Sequence, residues 1–200
     1  MLLLEKVYNN INTYTGLFFK SIISVFKIIF RARVLKPLPV SFKANCAILG
    51  NGPSLTYSLE NNLDFIKDEC DILCVNNFAQ SHHFKILKPG NYIMLDGYYF
   101  IFDNGKYNRK DVASTFQTFK TIDWPINIYL PTYARNSYLV NTVLKNNSHI
   151  NVYYFNHIVV EGYNWLKFPI FRLGIGMPQC QNILGASVFV SINRNYKNIY

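Results

Sequence analysis

A short apolar run broken by two closely spaced glycines and a proline, Cys46-Ala-Ile-Leu-Gly-Asn-Gly-Pro-Ser-Leu55, constrains this chain more than any other stretch. By pattern it is a buried strand, a tight turn and the first turn of a helix. That makes it the opening βα unit of an open α/β sheet. Gly50 and Gly52 lack a Cβ, so the backbone there is free to take positive φ or to come close to a ligand. Pro53 suits a first helical turn, Ser54 can accept a helix-start N–H, and the helix start favours an anion such as a phosphate. The turn has neither the three glycines of a dinucleotide fingerprint nor the lysine of a Walker loop. Alone, it fits chain geometry and a phosphate cradle equally well.

Downstream, strand-like and helix-like runs alternate. Residues 55–67 carry apolar side chains at helical spacing, and 71–75 form a short buried strand. A brief helix over 82–87 leads through Lys88-Pro89-Gly90 to a strand at 92–95. Polar residues 103–111 read as a loop, 112–121 as a helix, and 126–130 as a strand capped by Pro131. A helix near 133–145 precedes a strand at 151–155, and a last helix over about 180–194 runs into a strand at 197–200. This alternation predicts a doubly wound α/β domain over 41–200, with a mostly parallel, Rossmann-like sheet covered by helices on both faces.

Residues 1–40 stand apart. The chain has 200 residues, half of them hydrophobic and 16% charged, enough for one well-buried domain. Its net charge of +9 is uneven: residues 1–43 hold seven Lys and Arg against Glu5, a local +6 that leaves +3 for the rest. A basic excess confined to one end argues against nucleic acid as the partner. From 17 to 30 the chain is apolar except for Lys20, Ser21, Ser24 and Lys27, and Lys20, Ser24, Lys27 and Arg31 form a narrow polar stripe along a helix. The segment is too short and too interrupted for an ordinary span and lacks the signature of a signal peptide. Two expectations follow. Either the helix lies at the surface of an anionic membrane, or it packs on its own domain or on a second subunit of a homo-oligomer. Pro37 and Pro39 end it.

In sheets of this kind ligands collect at the carboxyl ends of the strands. There the sequence places Asn76 and Asn77, whose carboxamides suit a base edge or a ribose hydroxyl but also satisfy turns, and Asp96, able to bind a hydroxyl, act as a base or cap a turn. Tyr98, Tyr99, Tyr153 and Tyr154 could stack on a base or sugar, although such aromatics more often fill core and rim. Cys46, Cys70, Cys74 and Cys180 form no C-x-x-C pair, and Cys46 and Cys74 lie in apolar runs. They read as buried thiols of a reducing compartment rather than metal ligands. His82, His83 and His149 read as solvated or packed; His157, followed by Glu161, is with Asp96 a candidate catalytic residue.

Taken together, Ile48-Leu-Gly-Asn-Gly-Pro-Ser-Leu55, Cys74-Val-Asn-Asn-Phe78, Met94-Leu-Asp-Gly-Tyr-Tyr99 and the stretch 182–200 resemble the nucleotide-sugar domain of bacterial family 42 sialyltransferases. They equally resemble the wider group of domains related to archaeal 6-hydroxymethylpterin diphosphokinase, many of them surface-polysaccharide gene products. The resemblance implies that Gly50, Asn51, Gly52 and Ser54 lie against the phosphate and ribose of a CMP-linked acidic sugar, with Asn76 beside the nucleotide. Asp96 falls where the sialyltransferases have Asn. The loop from Gly174 to Asn182, with Gln181, corresponds by position to the loop over the donor. The sialyltransferase reading implies a saccharide acceptor, no required cofactor and a place on the cytoplasmic face of the plasma membrane in polysaccharide or lipopolysaccharide synthesis. The diphosphokinase reading implies Mg2+. In these families the last strand continues into a Gly-x-Asp turn, and in the sialyltransferases the histidine proposed as general base comes later still. A gene product ending at Tyr200 would lack that base and would be a non-catalytic binding or scaffold domain.

Overall fold

The structure, a computed structural model, describes residues 2–103 and 108–200, with side chains from residue 12 onward except that of Ser54. The chain forms two compact units, one of Met1–Leu35 with Asn156–Gln179, the other of Lys36–Phe155 with Cys180–Tyr200. The stretch 156–179, read as part of the sheet domain, belongs instead with the N-terminal helix.

Helix α1 (Leu2–Arg31) belongs to the first unit. In the second, strands β1 (Asn45–Leu49), β2 (Cys70–Val75), β3 (Asn91–Ile93), β4 (Ile126–Pro131), β5 (Ile150–Phe155) and β6 (Asn198–Ile199) pair side by side in the order β5-β4-β3-β2-β1-β6. Every pairing is parallel, so the fold is the α/β, Rossmann-like sheet that the alternation predicts. Parallel strands are covered on both faces, which is why they read as largely apolar runs, and in β3 even Asn91 is buried with Tyr92 and Ile93. The connecting helices are α2 (Ser54–Asp64), α3 (His82–Leu87), the single turn α4 (Tyr98–Ile101) and α5 (Lys110–Lys120). Beneath them an aromatic core forms, with Phe84 and Phe119 each meeting Tyr92 edge-on at 5.8 and 5.1 Å.

Three segments depart from the sequence reading. Phe65–Glu69, expected to continue the α2 helix, is a π-helical turn following a non-helical Asn62. The helix expected near 133–145 is broken: a 3-10 turn (Thr132–Asn136) gives way to π-helix (Leu139–Leu144) at Ser137, whose extended backbone ends the first piece while its Oγ accepts the Val140 N–H at 3.4 Å. Of the loop expected over 103–111, residues 104–107 lie outside the described residues, and Lys110 already starts a helix.

In the helical unit, α1 runs past a loop and a second helix, α6 (Asn164–Arg172). Ser24 and Lys20 of the stripe bond within the unit. Ser24, 1% exposed, donates to the Glu161 carbonyl at 3.0 Å and accepts the Glu161 N–H at 2.9 Å. The buried Ser21 accepts the Tyr163 N–H at 3.0 Å, and Lys20 pairs with the Glu161 carboxylate at 3.0 Å. Asn156 ties off the helix exit, accepting from Arg33 N and donating to Arg33 O, both at 3.0 Å. The phenylalanines face solvent instead: Phe19 is 63% and Phe30 76% exposed.

Beyond α6, α7 (Ile183–Asn193) leads back to β6 in the sheet unit. None of the four cysteines forms a disulfide among the described residues, and Cys46 and Cys74 are fully buried. Burial pushes the Cys46 thiol up to about 11 and Cys74 well above the ordinary range. Alkylation of native protein at neutral pH is therefore expected to modify Cys180 first and to reach Cys46, Cys70 and Cys74 only after unfolding. Mass mapping of labelled peptides checks this; early labelling of Cys46 would show that β1 opens readily.

Candidate functional site

The chain steps from β1 to β5 toward one edge of the sheet, then crosses back to place β6 on the other side of β1. The strand order thus reverses beside β1, and the crevice outside the carboxyl ends of such a reversal is where open α/β sheets bind ligands. The turn Gly50-Asn51-Gly52-Pro53 leaves β1 at this point.

Gly50 is half-buried there, and a Cβ on it would lie 3.5 Å from Val75 of β2 and 3.9 Å from Leu184 in the first turn of α7. Both are ordinary contacts and the Gly50 backbone is not left-handed, so the expected need for positive φ is not met. What remains of the glycine argument is room for a neighbour to approach. Asn51, Gly52 and Pro53 are exposed. Pro53 occupies the cap position of α2 in helical geometry and caps nothing with its side chain, while Ser54 is the first helical residue rather than the cap. The first turn of α2 carries no acidic residue to offset the partial positive charge of a helix start, and the Leu55 N–H there donates to the Gly52 carbonyl at 3.0 Å. The α7 start is capped by Asn182, whose Oδ1 accepts the Gly185 N–H at 3.1 Å; Gln181 beside it is exposed. Asn182, expected to face a donor, is therefore a helix cap.

The asparagines after β2 are also committed. Asn76 has a left-handed backbone (φ 43°); its carbonyl accepts from the Tyr92 hydroxyl and its Oδ1 from the Leu95 N–H at 3.5 Å. It joins the ends of β2 and β3. Asn77 Oδ1 accepts from the Tyr99 hydroxyl and its Nδ2 lies 3.5 Å from Asp111 Oδ2. Both carboxamides serve the framework, the turn-forming use weighed above. Asp96 is exposed after β3 and accepts the Tyr98 N–H at 3.0 Å, closing the turn into α4. One of its oxygens is thus occupied by local structure.

Two arginines missing from the sequence reading stand on segments leaving the same edge. Arg109, just before α5, lies 4.3 Å over the Tyr98 ring and bonds Asp111 through Nε at 3.0 Å, holding that carboxyl below its usual range. Arg135, after β4, lies 4.7 Å over the Tyr154 ring. An Arg following an aromatic-rich strand end was the available signal for both. His157 belongs to the helical unit, where burial pushes its imidazole below the ordinary value. Glu161, expected as its neighbour in function, is instead the ion partner of Lys20, which holds its carboxyl low. The loop expected over the donor is divided, its first part through Gln179 in the helical unit and Cys180, Gln181 and Asn182 in the sheet unit.

The carboxyl edge of the sheet thus offers the exposed Asn51 carboxamide after β1 and, after β3 and β4, Arg109 and Arg135, each backed by an aromatic face. That chemistry suits an anion carrying a planar group. Compared with family models, with curated proteins and with solved structures, the chain finds no match.

Proposed function

We propose that the sheet unit binds a nucleotide sugar at the β1 turn, and that the protein is glycosyltransferase-like, acting in bacterial surface-polysaccharide or lipopolysaccharide synthesis at the cytoplasmic membrane face. The observation that carries the reading is the position of Gly50-Asn51-Gly52-Pro53-Ser54, at the reversal of strand order with the start of α7 beside it. The donor is a CMP-linked acidic sugar. Its phosphate rests on the N–H groups of the turn and of the α2 start, and Arg109 and Arg135 add positive charge at the same edge.

The reaction is attack by a saccharide hydroxyl on the anomeric carbon. A carbon–oxygen bond forms to the acceptor, the bond to the nucleotide phosphate breaks, CMP leaves with the electron pair, and the hydroxyl proton passes to a base. Asp96, in the same unit as the turn, is the candidate for that base.

Calorimetric titration of the full chain with CMP tests this, with ATP or GTP plus Mg2+ as comparators. Asn51→Ala is expected to weaken CMP about tenfold, since Asn51 is exposed and removes no framework bond. Asn76 needs two variants: Asn76→Gly keeps the left-handed backbone and Asn76→Ala does not, so a loss common to both belongs to the carboxamide. Binding of the magnesium triphosphate alone would replace this reading with phosphotransfer, and binding of none of them would leave a non-catalytic domain.

A further inference from the structure

In the helical unit α1 turns Ser21 and Ser24, with Ile28 and Ala32, inward and leaves most of its large apolar side chains outward. Seen down α1, at about 100° per residue, Phe19, Ile22, Ile23, Phe26, Ile29 and Phe30 are all exposed and, with Phe18 and Val25, sweep about 160° of the surface. Ser21 and Ser24 face the opposite way, bonded to Tyr163 and Glu161. Between the two faces, along one flank, runs a row of Lys20, Lys27 and Arg31. Along the other flank Phe18, Val25 and Phe26 form an apolar groove of about 370 Å³ with Tyr163 and Trp165, and Trp165 is 72% exposed. The unit carries seven Lys and Arg against two Glu, more than half of the chain's net +9 on 59 residues.

We infer that α1 and α6 together form a membrane-docking face, on which α1 lies in the plane of an anionic leaflet without crossing it. Three observations select this occupant. The apolar arc is too wide and continuous to be left to water, and it is rich in Phe and Ile, which suit the acyl boundary. The basic row stands at the height where headgroups would sit when that arc is immersed, and the net charge of the unit complements anionic lipid. Tyr163 and Trp165, stacked at 6.1 Å, lie on the other flank and suit the interfacial layer. Residues 12–31 are long and apolar enough to span. A spanning α1 would carry the Glu161 backbone and carboxylate, bonded to Ser24 and Lys20, into the hydrocarbon, so the polar contacts favour the in-plane arrangement.

This inference deepens the membrane part of the proposed function and is independent of the donor, so vesicle binding and CMP titration fail separately. Full-length protein is mixed with vesicles of phosphatidylcholine alone or with phosphatidylglycerol, and floated. Binding to the anionic vesicles is expected, weakened about fivefold by each of Lys27→Gln and Arg31→Gln and by high salt, and at least tenfold by Phe19→Ser combined with Phe26→Ser. Amide exchange at Glu161 and Tyr163 shows that these variants keep the unit folded. Trp165 emission, identified by its loss in Trp165→Phe, is expected to shift blue and to be quenched best by lipids brominated near the headgroup. No flotation, or a soluble dimer dissolved by the same phenylalanine changes, overturns the inference in favour of a protein partner. Quenching strongest at the bilayer centre overturns it in favour of a span.

Discussion

Gly162→Ala is expected to dismantle the helical unit. Gly162 is buried at φ +109°, a backbone region that side-chain-bearing residues rarely occupy, and its position is fixed on both sides by hydrogen bonds to α1. A Cβ there would lie 2.8 Å from both the Cα and the N of Ser21, and 2.1 Å from the Ser21 Oγ. Two of these three obstacles are helix backbone, which cannot swing aside as a side-chain end can. The conformational penalty and the overpacking each cost about 1–3 kcal/mol, and relief by separation forfeits the serine bonds as well. We expect a loss of about 3 kcal/mol or more, read as fast amide exchange at Val160, Glu161 and Tyr163, whose N–H groups bond Met177, Ser24 and Ser21. Ser21→Gly added to Gly162→Ala should rescue little, because it removes the Oγ and leaves the backbone. Full protection restored by the second change would show that the hydroxyl alone was the obstacle.

The same glycine shows what a linear reading of this chain could reach. The strands were legible because parallel strands covered on both faces are apolar over most of their length, and the glycine-rich turn marked where the first of them ends. The exits of β2 and β3 were also legible as places, though not as uses. Nothing local in Asn76 reveals that Tyr92, sixteen residues on, donates to its carbonyl, nor that its backbone is left-handed. The region 156–179 was silent for a plainer reason. Pro169 lies inside α6 and costs it a backbone hydrogen bond, so pattern argues against a helix that packing of Ile170 with Ile158 and Val160 nevertheless holds. The serines of α1 misled in the opposite sense. A polar stripe on an apolar helix normally faces water, and here it faces the unpaired N–H and C=O groups of a loop, which a core of side chains could not have satisfied.

Arg194→Ala is expected to produce the largest loss within the sheet unit. Arg194 follows α7 and is 3% exposed, its guanidinium 5.2 Å from the Tyr129 ring centre and 5.0 Å from that of Tyr196. Nε donates to the Pro39 carbonyl at 2.9 Å, and the Arg194 carbonyl accepts from Ser41 N, so this one residue holds the linker before β1 against the end of α7. Its neighbours are themselves tied down: the Tyr196 hydroxyl donates to Asp71 at 2.7 Å and the Tyr129 hydroxyl to Asn91 at 3.1 Å. Truncation leaves a cavity between two fixed rings, an unmet Pro39 carbonyl and no cation on either π face, together about 3–5 kcal/mol. The charge and the packing can be separated. Among the described side chains Arg194 Nη1 is buried without a partner, so part of the cost of burying this cation is not returned by hydrogen bonds. Arg194→Met, which keeps most of the volume and none of the charge, should therefore lose only about 1–2 kcal/mol. Urea unfolding of the three proteins decides it. Methionine as damaging as alanine would mean that the cation, through its rings and the Pro39 bond, is what fixes the linker. Alanine within about 1 kcal/mol of the native protein would mean that the linker is held by other contacts.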